Sequence, residues 1–575
     1  MITKIKKGHL ITLSLIICQL SFSGVLTSCS DLMDTDSELK EYEEDNTLQQ
    51  ATDSVYSVMG IIHKMQVVAD RTVLLGELRG DLTAVTTAAT KDMKAVANFE
   101  VNTQNAYNRI SDYYAIINNC NYFLAHINLN IVKNNRNVFE GEYAAVKAFR
   151  AWTYLQLAQI YGSVPLVTDP LLTEEAAQNA LKQTPENITA ICNYFISDLK
   201  PYVDVKLPNY QTMDTDDSRK FFIPVRVILG DLCLWAGRYN EAAQYYHDYL
   251  SLRTAPVRTG TASARWYDAA TKEFRMLSYS LSYSSGSDEC ICFIPMEYQE
   301  FYGVRTELND IFNSTILNMR YAKVEPSKRL RELSAASNYC VSYTKVDQSI
   351  DTIYAPKVNL DRSEYVGDLR LAANYHLTET SEPRFSRISS KFQSILKYST
   401  LDDVVLYRTN MVYLRYAEAL NRAGYPQSAF AVLKYGLYPD MVAQHVDSLE
   451  RKAAGTLIDF DVDLFTVENT QGVHARGSGD AQCDTLYVLP QPATALGSRQ
   501  DTIDYQVPLV EDMIINEMAL EGAFEGNRYY DLMRVALRRG DNAYLADAVA
   551  RRGGTLDAAL QSKLMNRDNW YLPKP

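Results

Sequence analysis

Glu517, Glu521 and Glu525 recur every fourth residue, so on a helix they align three carboxylates along one face, and Arg528, Asp531 and Arg534 follow closely. Two carboxylates can work as a general acid and base. Carboxylates answered by guanidinium groups can instead form an ion-pair network that ties a helix to its neighbours. The regular spacing favours the network, because a glycosidase needs two opposed carboxylates across a cleft and one helix face cannot supply them. The seven histidines (9, 63, 126, 247, 376, 445 and 474) show no metal-ligand spacing and no His-Glu-x-x-His. Asp459, Asp461 and Asp463 imitate the start of a calcium loop, but Leu464 stands where the glycine belongs and Thr470 where the closing glutamate belongs. Gly477-Ser478-Gly479 lacks the frame of a nucleophile elbow. We therefore expect no catalytic residues, no cofactor and no metal.

Binding chemistry has better material. Aromatic faces stack on the apolar faces of pyranose rings, while Asn, Asp and Arg pair with hydroxyls. Two regions mix these types. One runs from Asp81 to Tyr107 and includes Phe99 and Asn102. The other holds Trp266, Tyr267, Tyr279, Tyr283, Tyr298, Phe301, Tyr302 and Arg305. Asp81, Phe99, Asn102, Tyr283, Tyr298, Phe301, Tyr302 and Arg305 are the candidate ligand-binding residues. The group from Tyr298 to Arg305 leads, since several aromatics lie beside a guanidinium in a loop-like stretch. Interior packing competes for each: the chain has 40 tyrosines against 18 Phe and 4 Trp, and a tyrosine suits both a helix interface and a stacking platform.

The elements that would position these residues begin behind a leader. Lys4, Lys6 and Lys7 precede an apolar stretch that ends in Leu26-Thr27-Ser28-Cys29, a bacterial lipoprotein cleavage box closing a signal peptide over residues 1–28. Cys29 is the expected lipidation site, anchoring the mature chain to a membrane by acyl chains. Residues 29–47 then form the lipidated cysteine and an acidic tether, with eight acids and one base between 30 and 45. Loss of the leader removes three lysines and no acid, taking the net charge from −13 to −16, which argues against nucleic acid as a partner. The cysteines are scattered and do not read as a disulfide framework.

Helical periodicity covers Leu48 to Ala69, Asn105 to Ile127 (with Tyr107, Ile110, Tyr114, Ile117 and Leu124 near one face), Glu142 to Tyr161 and Ile188 to Leu199. Leu232 to Ala243 reads as a helix, a Gly237-x-Tyr239-x-x-Ala242 turn and a second helix, the pattern of a tetratricopeptide-like hairpin; Ala417 to Ala431 repeats the theme around Gly424. Between them, residues 255–405 have another texture, rich in Ser, Tyr, Asp and Thr with short strand candidates such as Cys290–Ile294. The expected fold is mainly α, a tetratricopeptide-like helical hairpin scaffold with a long irregular, partly β insertion. Its parts are an N-terminal helical scaffold over 48–254, the ligand-binding insertion over 255–405, and a C-terminal helical region over 406–575 with an irregular loop at 455–508.

Ala148-Phe149-Arg150-Ala151-Trp152 through Leu155, Ile160-Tyr161-Gly162-Ser163-Val164-Pro165, Tyr413-Leu414-Arg415-Tyr416-Ala417-Glu418-Ala419-Leu420-Asn421, Glu517 through Glu525-Gly526-Asn527-Arg528-Tyr529-Tyr530-Asp531-Leu532-Met533-Arg534, and the closing Trp570-Tyr571-Leu572-Pro573 together resemble SusD/RagB-like outer-membrane nutrient-binding lipoproteins. They come in that family's order and span nearly the whole mature chain. Val473 to Asp480 departs from the pattern. The resemblance implies a non-catalytic, surface-exposed lipoprotein of the cell outer membrane that captures oligosaccharides and delivers them to a SusC-like TonB-dependent transporter, with ligand contacts in the two regions named above. The alternative is a RagB-like peptide-binding lipoprotein of a peptide importer. A surface glycosidase stands behind both.

Overall fold

The computed structural model describes residues 51–133, 136–213, 215–252, 265–268, 273–276, 283–297, 303–315, 320–354, 367–380, 390–399, 403–466, 471–479 and 484–574, which belong to one compact unit, Gln49–Pro575. Helices pack in chain order. α1 (Ala51–Arg79) lies on α2 (Ile110–His126), α2 on α3 (Glu140–Tyr161), α3 on α4 (Ile188–Leu199), α4 on α5 (Val225–Ala236), and α5 on α6 (Tyr239–Ser251). α6 packs next against α7 (Thr409–Arg422), which pairs with α8 (Pro426–Lys434). The helical stack thus continues directly from Ser251 to Thr409. α9 (Arg499–Glu521) crosses α7 and α8, and α10 (Arg528–Arg539) returns to α1. Two last helices, α11 (Asn542–Ala550) and α12 (Ala558–Leu564), form a terminal hairpin. The fold is mainly α, with small two-stranded antiparallel sheets, most of them formed by strands of the insertion and two within the N-terminal scaffold (Val132–Lys133 with Arg136–Asn137, and Thr212–Met213 with Asp216–Asp217).

Local sequence explains the hairpins. Gly237 closes α5 in the left-handed conformation (φ 78°), which a residue with a Cβ rarely adopts, and Gly424 does the same between α7 and α8 (φ 94°). Tyr246 of α6 lies against Gly230 of α5, where any side chain would meet its ring. α3 is buried almost all round, with Ala145, Phe149, Trp152 and Leu155 inside, as expected of a central helix. The chain's end is also interior: Trp570 is fully buried, its carbonyl accepts from Arg79 and Tyr529, and the Leu572 N–H donates to Ile160.

Several boundaries differ from the periodicity. α1 runs ten residues beyond Ala69, carried by Val73, Leu74, Leu75 and Leu78, all buried. α2 starts at Ile110 because Asn105 donates to the Asp92 carbonyl and Asn108 to the Pro573 carbonyl, holding that stretch as a loop. Its buried stripe is Tyr113, Ile116, Ile117, Cys120 and Phe123, so Tyr107 lies off the helix. α9 begins at a Ser498 cap, inside the stretch read as irregular. It contains Pro508, and the Val507 and Pro508 carbonyls accept from Asn421 and Arg539. Cys340 is disulfide-bonded, whereas Cys120, Cys192, Cys233, Cys290 and Cys292 are free.

At one point two backbones touch. A Cβ on Gly76 of α1 would run into the Gly526 carbonyl, and a Cβ on Gly526 (φ 85°) into the Thr72 carbonyl. Gly76→Ala should therefore lower stability by about 1–3 kcal/mol through overpacking. A chemical-denaturation midpoint equal to that of the parent protein would contradict this close approach.

Candidate ligand-binding surface and buried charge cluster

α1 is the spine that brings the two candidate regions together. On one side, Gln66 donates to the Pro295 carbonyl (2.6 Å), and Asp70 accepts from the Thr306 hydroxyl (2.6 Å) and the Glu307 N–H (2.8 Å). These bonds fix the loop that carries Arg305. Burial is the main effect on the Asp70 carboxyl, raising it above its ordinary value. On the other side, Arg71 donates to the Arg109 carbonyl (3.1 Å) and pairs with Asp112, fixing the start of α2. Between them, Asp92 accepts from the Ala106 N–H (3.1 Å). The Tyr107 hydroxyl is pushed up to about 12, by burial first and then by the carboxylates of Glu307, Asp70 and Asp92. Tyr107, Asp92 and Glu307 therefore share one neighbourhood, with Asn102 and Arg305 exposed beside it.

Beyond α1, the chain forms a strand pair between Thr83–Val85 and Val324–Pro326. Thr86 donates from its N–H to Lys323 and from its hydroxyl to the Ala322 carbonyl. The next residue along, Tyr321, is 42% exposed and stacks on Phe392 at 5.9 Å with the rings 13° apart. A stacked, half-open aromatic beside exposed polar groups is what a hydroxylated ring asks for. Tyr321, Asp70, Asp92 and Glu307 were not singled out in the sequence. Nothing in their spacing marks them, since the fold alone brings them together.

The candidate residues fall into three groups. Asn102 and Arg305 are exposed, and Phe99 is half-buried. Phe99 holds a left-handed backbone (φ 57°), strained for a bulky residue, with its ring 5.7 Å from Tyr529. Asp81 and Tyr283 are interior. Asp81 makes a bidentate pair with Arg528 (2.6 and 2.9 Å), which outweighs burial and holds its carboxyl below the ordinary range. Tyr283 stacks edge-on against Tyr398 at 5.7 Å. Tyr279, Tyr298, Phe301, Tyr302 and the lipidation site Cys29 lie outside the described residues.

The three glutamates of α9 and the following turn sit in a buried cluster. Glu517 pairs with Arg370 (2.5 Å) and His474 (2.9 Å). Glu521 pairs with Arg408 (2.6 Å), Arg370 (3.1 Å) and Arg476 (3.2 Å), and Glu525 with Lys397 (2.5 Å) and Arg408 (2.8 Å). The ion-pair reading stands, but with other partners. Arg528 answers Asp81, and Arg534 answers Glu418 and Asp531. The unmatched stretch from Val473 explains itself here, as a short buried turn (helix Ala475–Ser478) delivering His474 and Arg476 to the cluster. Burial pushes Glu517 up, but Arg370 and His474 outweigh it and hold it at about 2. Glu521 is likewise held well below its ordinary value, by Arg476, Arg408 and Arg370 against burial. A general acid needs the opposite shift, which neither Glu517 nor Glu521 has.

No protein-family model and no curated protein matches the chain. Solved structures do. A SusD superfamily protein from Bacteroides vulgatus is 13% identical with a TM-score of 0.54, over 91% of this chain and 96% of that one. A SusD superfamily protein from Bacteroides fragilis is 15% identical with a TM-score of 0.54, over 90% and 95%. A SusD-like carbohydrate-binding protein from Bacteroides fragilis is 14% identical with a TM-score of 0.53, over 86% and 88%. The fold of this chain is similar to that of these SusD-like structures, as the sequence landmarks implied. No helix among the described residues is long and apolar enough to cross a membrane.

Proposed function

We propose that this protein is a non-catalytic, lipid-anchored protein of the outer-membrane surface that captures oligosaccharides and passes them to a SusC-like TonB-dependent transporter. The observation that carries the reading is the neighbourhood Tyr107 shares with Asp70, Asp92 and Glu307 at α1, where the two candidate stretches meet; Asn102 and Arg305 are exposed residues of those stretches, and Tyr321 adds an open ring stacked on Phe392. Such a surface offers ring faces and bidirectional hydrogen bonding. A similar fold in a protein described as carbohydrate-binding supports the ligand class. The lipoprotein box at Cys29 and the acidic tether supply the anchor and the reach. Tyr298, Phe301 and Tyr302, next in sequence to Arg305, belong to the proposed platform, and the insertion over 255–405 is its proposed domain.

The test is a binding screen of protein starting at Ser30 against glycan and peptide panels together. We expect a glycan ligand whose affinity falls at least about tenfold in Tyr321→Ala and in Arg305→Ala, the scale of an interfacial anchor lost to truncation. Both variants alter exposed groups and should keep the parental melting temperature. Peptide binding alone would transfer the protein to the RagB-like reading. Glycan affinity unchanged in both variants, and in a Tyr298→Ala, Phe301→Ala, Tyr302→Ala triple variant, would remove the surface from consideration.

A further inference from the structure

A pocket with a cavity volume of about 50 Å³ is lined by residues of α1, α3, α5, α7 and α10, among them Thr72 of α1 and Arg415 of α7. α3 supplies one face of it through Trp152, Gln156 and Gln159, at i, i+4 and i+7, and α5 adds Trp235 opposite. Strand Val404–Arg408 and the turn before α10 complete the walls, and half-buried Gln156, Trp235 and Asn527 leave a mouth to solvent.

The unfilled hydrogen-bonding groups define what the pocket asks for. Gln159 is only 6% exposed, and its carboxamide makes no hydrogen bond to a described residue; the same holds for the indole N–H of Trp152, which is 3% exposed. Buried amides are nearly always paired. Both side chains line the cavity. The charged groups of the lining are already matched. Asp231 pairs with Arg415 (2.5 Å), Asp531 with Arg534 (2.8 Å) and Glu525 with Arg408 (2.8 Å). What remains is neutral: carboxamides that donate and accept, and indoles with an apolar face. An ion would find no free counter-charge, and a hydrocarbon would leave the amides unpaired.

We infer that this pocket binds a neutral, hydroxyl-bearing unit, either a small polyol or one edge of a single sugar ring. Its volume holds a few waters, which suits a fragment with several hydroxyls and excludes a whole oligosaccharide. The site stands whether or not the surface around Arg305 takes a glycan.

Two of the chain's four tryptophans line the pocket, so intrinsic fluorescence reads it directly. Mature protein would be titrated with glycerol, glucose, galactose and their methyl glycosides, with maltose to represent a chain end and sodium gluconate as the charged control. We expect a saturable change with at least one neutral probe, weakened about tenfold in Gln159→Leu, which keeps the volume and removes the hydrogen bonds. Arg305→Ala should leave it unchanged. Gln156→Ala, at the mouth, serves if the first variant misfolds. Binding of maltose as tight as that of the monomer identifies a chain end, and binding of the monomer or glycerol alone identifies a free small molecule. No saturation with any neutral probe, an equal response in both glutamine variants, or a response to gluconate alone would overturn the proposal.

Discussion

Arg408→Met should lower the folding stability by about 3–5 kcal/mol, the scale of breaking a buried ion pair by removing one partner. Arg408 is 2% exposed and binds two carboxylates at once, reaching Glu521 at 2.6 Å and Glu525 at 2.8 and 2.9 Å, with a further bond to the Glu521 carbonyl at 2.8 Å. Methionine keeps the apolar stem and removes the charge. Glu521 would still face Arg370 and Arg476, and Glu525 would keep Lys397, so the loss should not exceed this range. Arg305→Ala, an exposed change with no such partners, should stay within about 0.5 kcal/mol. Adding Glu525→Gln to Arg408→Met should recover part of the loss, because the uncompensated carboxylate goes with its partner; the cycle measures the coupling. A stability for Arg408→Met within about 1 kcal/mol of the parent would mean that the cluster does not hold the stretch before α7 to α9. The stake is functional, since Arg370, Lys397 and Arg408 all come from the stretch between α6 and the start of α7 that also carries Arg305 and Tyr321.

The helical scaffold was legible because its signals are local. A left-handed glycine followed by tyrosine and alanine marks the α5–α6 turn whatever lies around it, and the Ala145 to Leu155 stripe of α3 needs only periodicity. The errors fall where a distant group decides. Asn105 and Asn108 satisfy the Asp92 and Pro573 carbonyls instead of extending α2, and one of those partners is more than 460 residues away. The partners of Glu517, Glu521 and Glu525 were misassigned for the same reason: Arg528 and Arg534 are near in sequence, whereas Arg370, Arg408 and Arg476 are near in space.

The candidate site divides the same way. Composition pointed to two stretches, and α1 brings parts of both to one surface through Gln66, Asp70 and Arg71. Composition could not say which members face outward. Asp81 and Tyr283 carry suitable chemistry but are taken by Arg528 and Tyr398, while Tyr321, which lies in neither stretch, is the open ring. Gln159 was invisible too, because a glutamine on a buried helix face matters only once the fold leaves its amide without a partner.

Raising the pH from about 6.5 to 9 should destabilise the protein, by up to about 3 kcal/mol, through one histidine. His474 lies between Glu517 (2.9 Å) and Asp484 (3.8 Å), with Arg370 nearby, and its ring stacks on Tyr487 at 3.8 Å. Burial would push the imidazole down, but Glu517 and Asp484 outweigh it and lift it from 6.5 to about 9. The folded state therefore holds this proton more tightly than the unfolded chain. The stabilisation is complete below about 6.5 and is lost as the pH climbs through 9. Glu77 acts in the same direction at lower pH: burial lifts its carboxyl from 4.5 to about 7, so its ionisation over that window also opposes folding. Melting temperatures across pH 4.5 to 9 should fall through both windows. His474→Gln should be less stable than the parent at pH 6 and lack the upper step, and Glu77→Gln should lack the lower one. A flat parental profile between 6.5 and 9 would refute the role of His474. The loss should also be local. Asp484 and Tyr487 lead into the exposed stretch up to Ser498, which Lys434 pins by bonds to their two carbonyls, so amide exchange there should quicken first as His474 releases its proton.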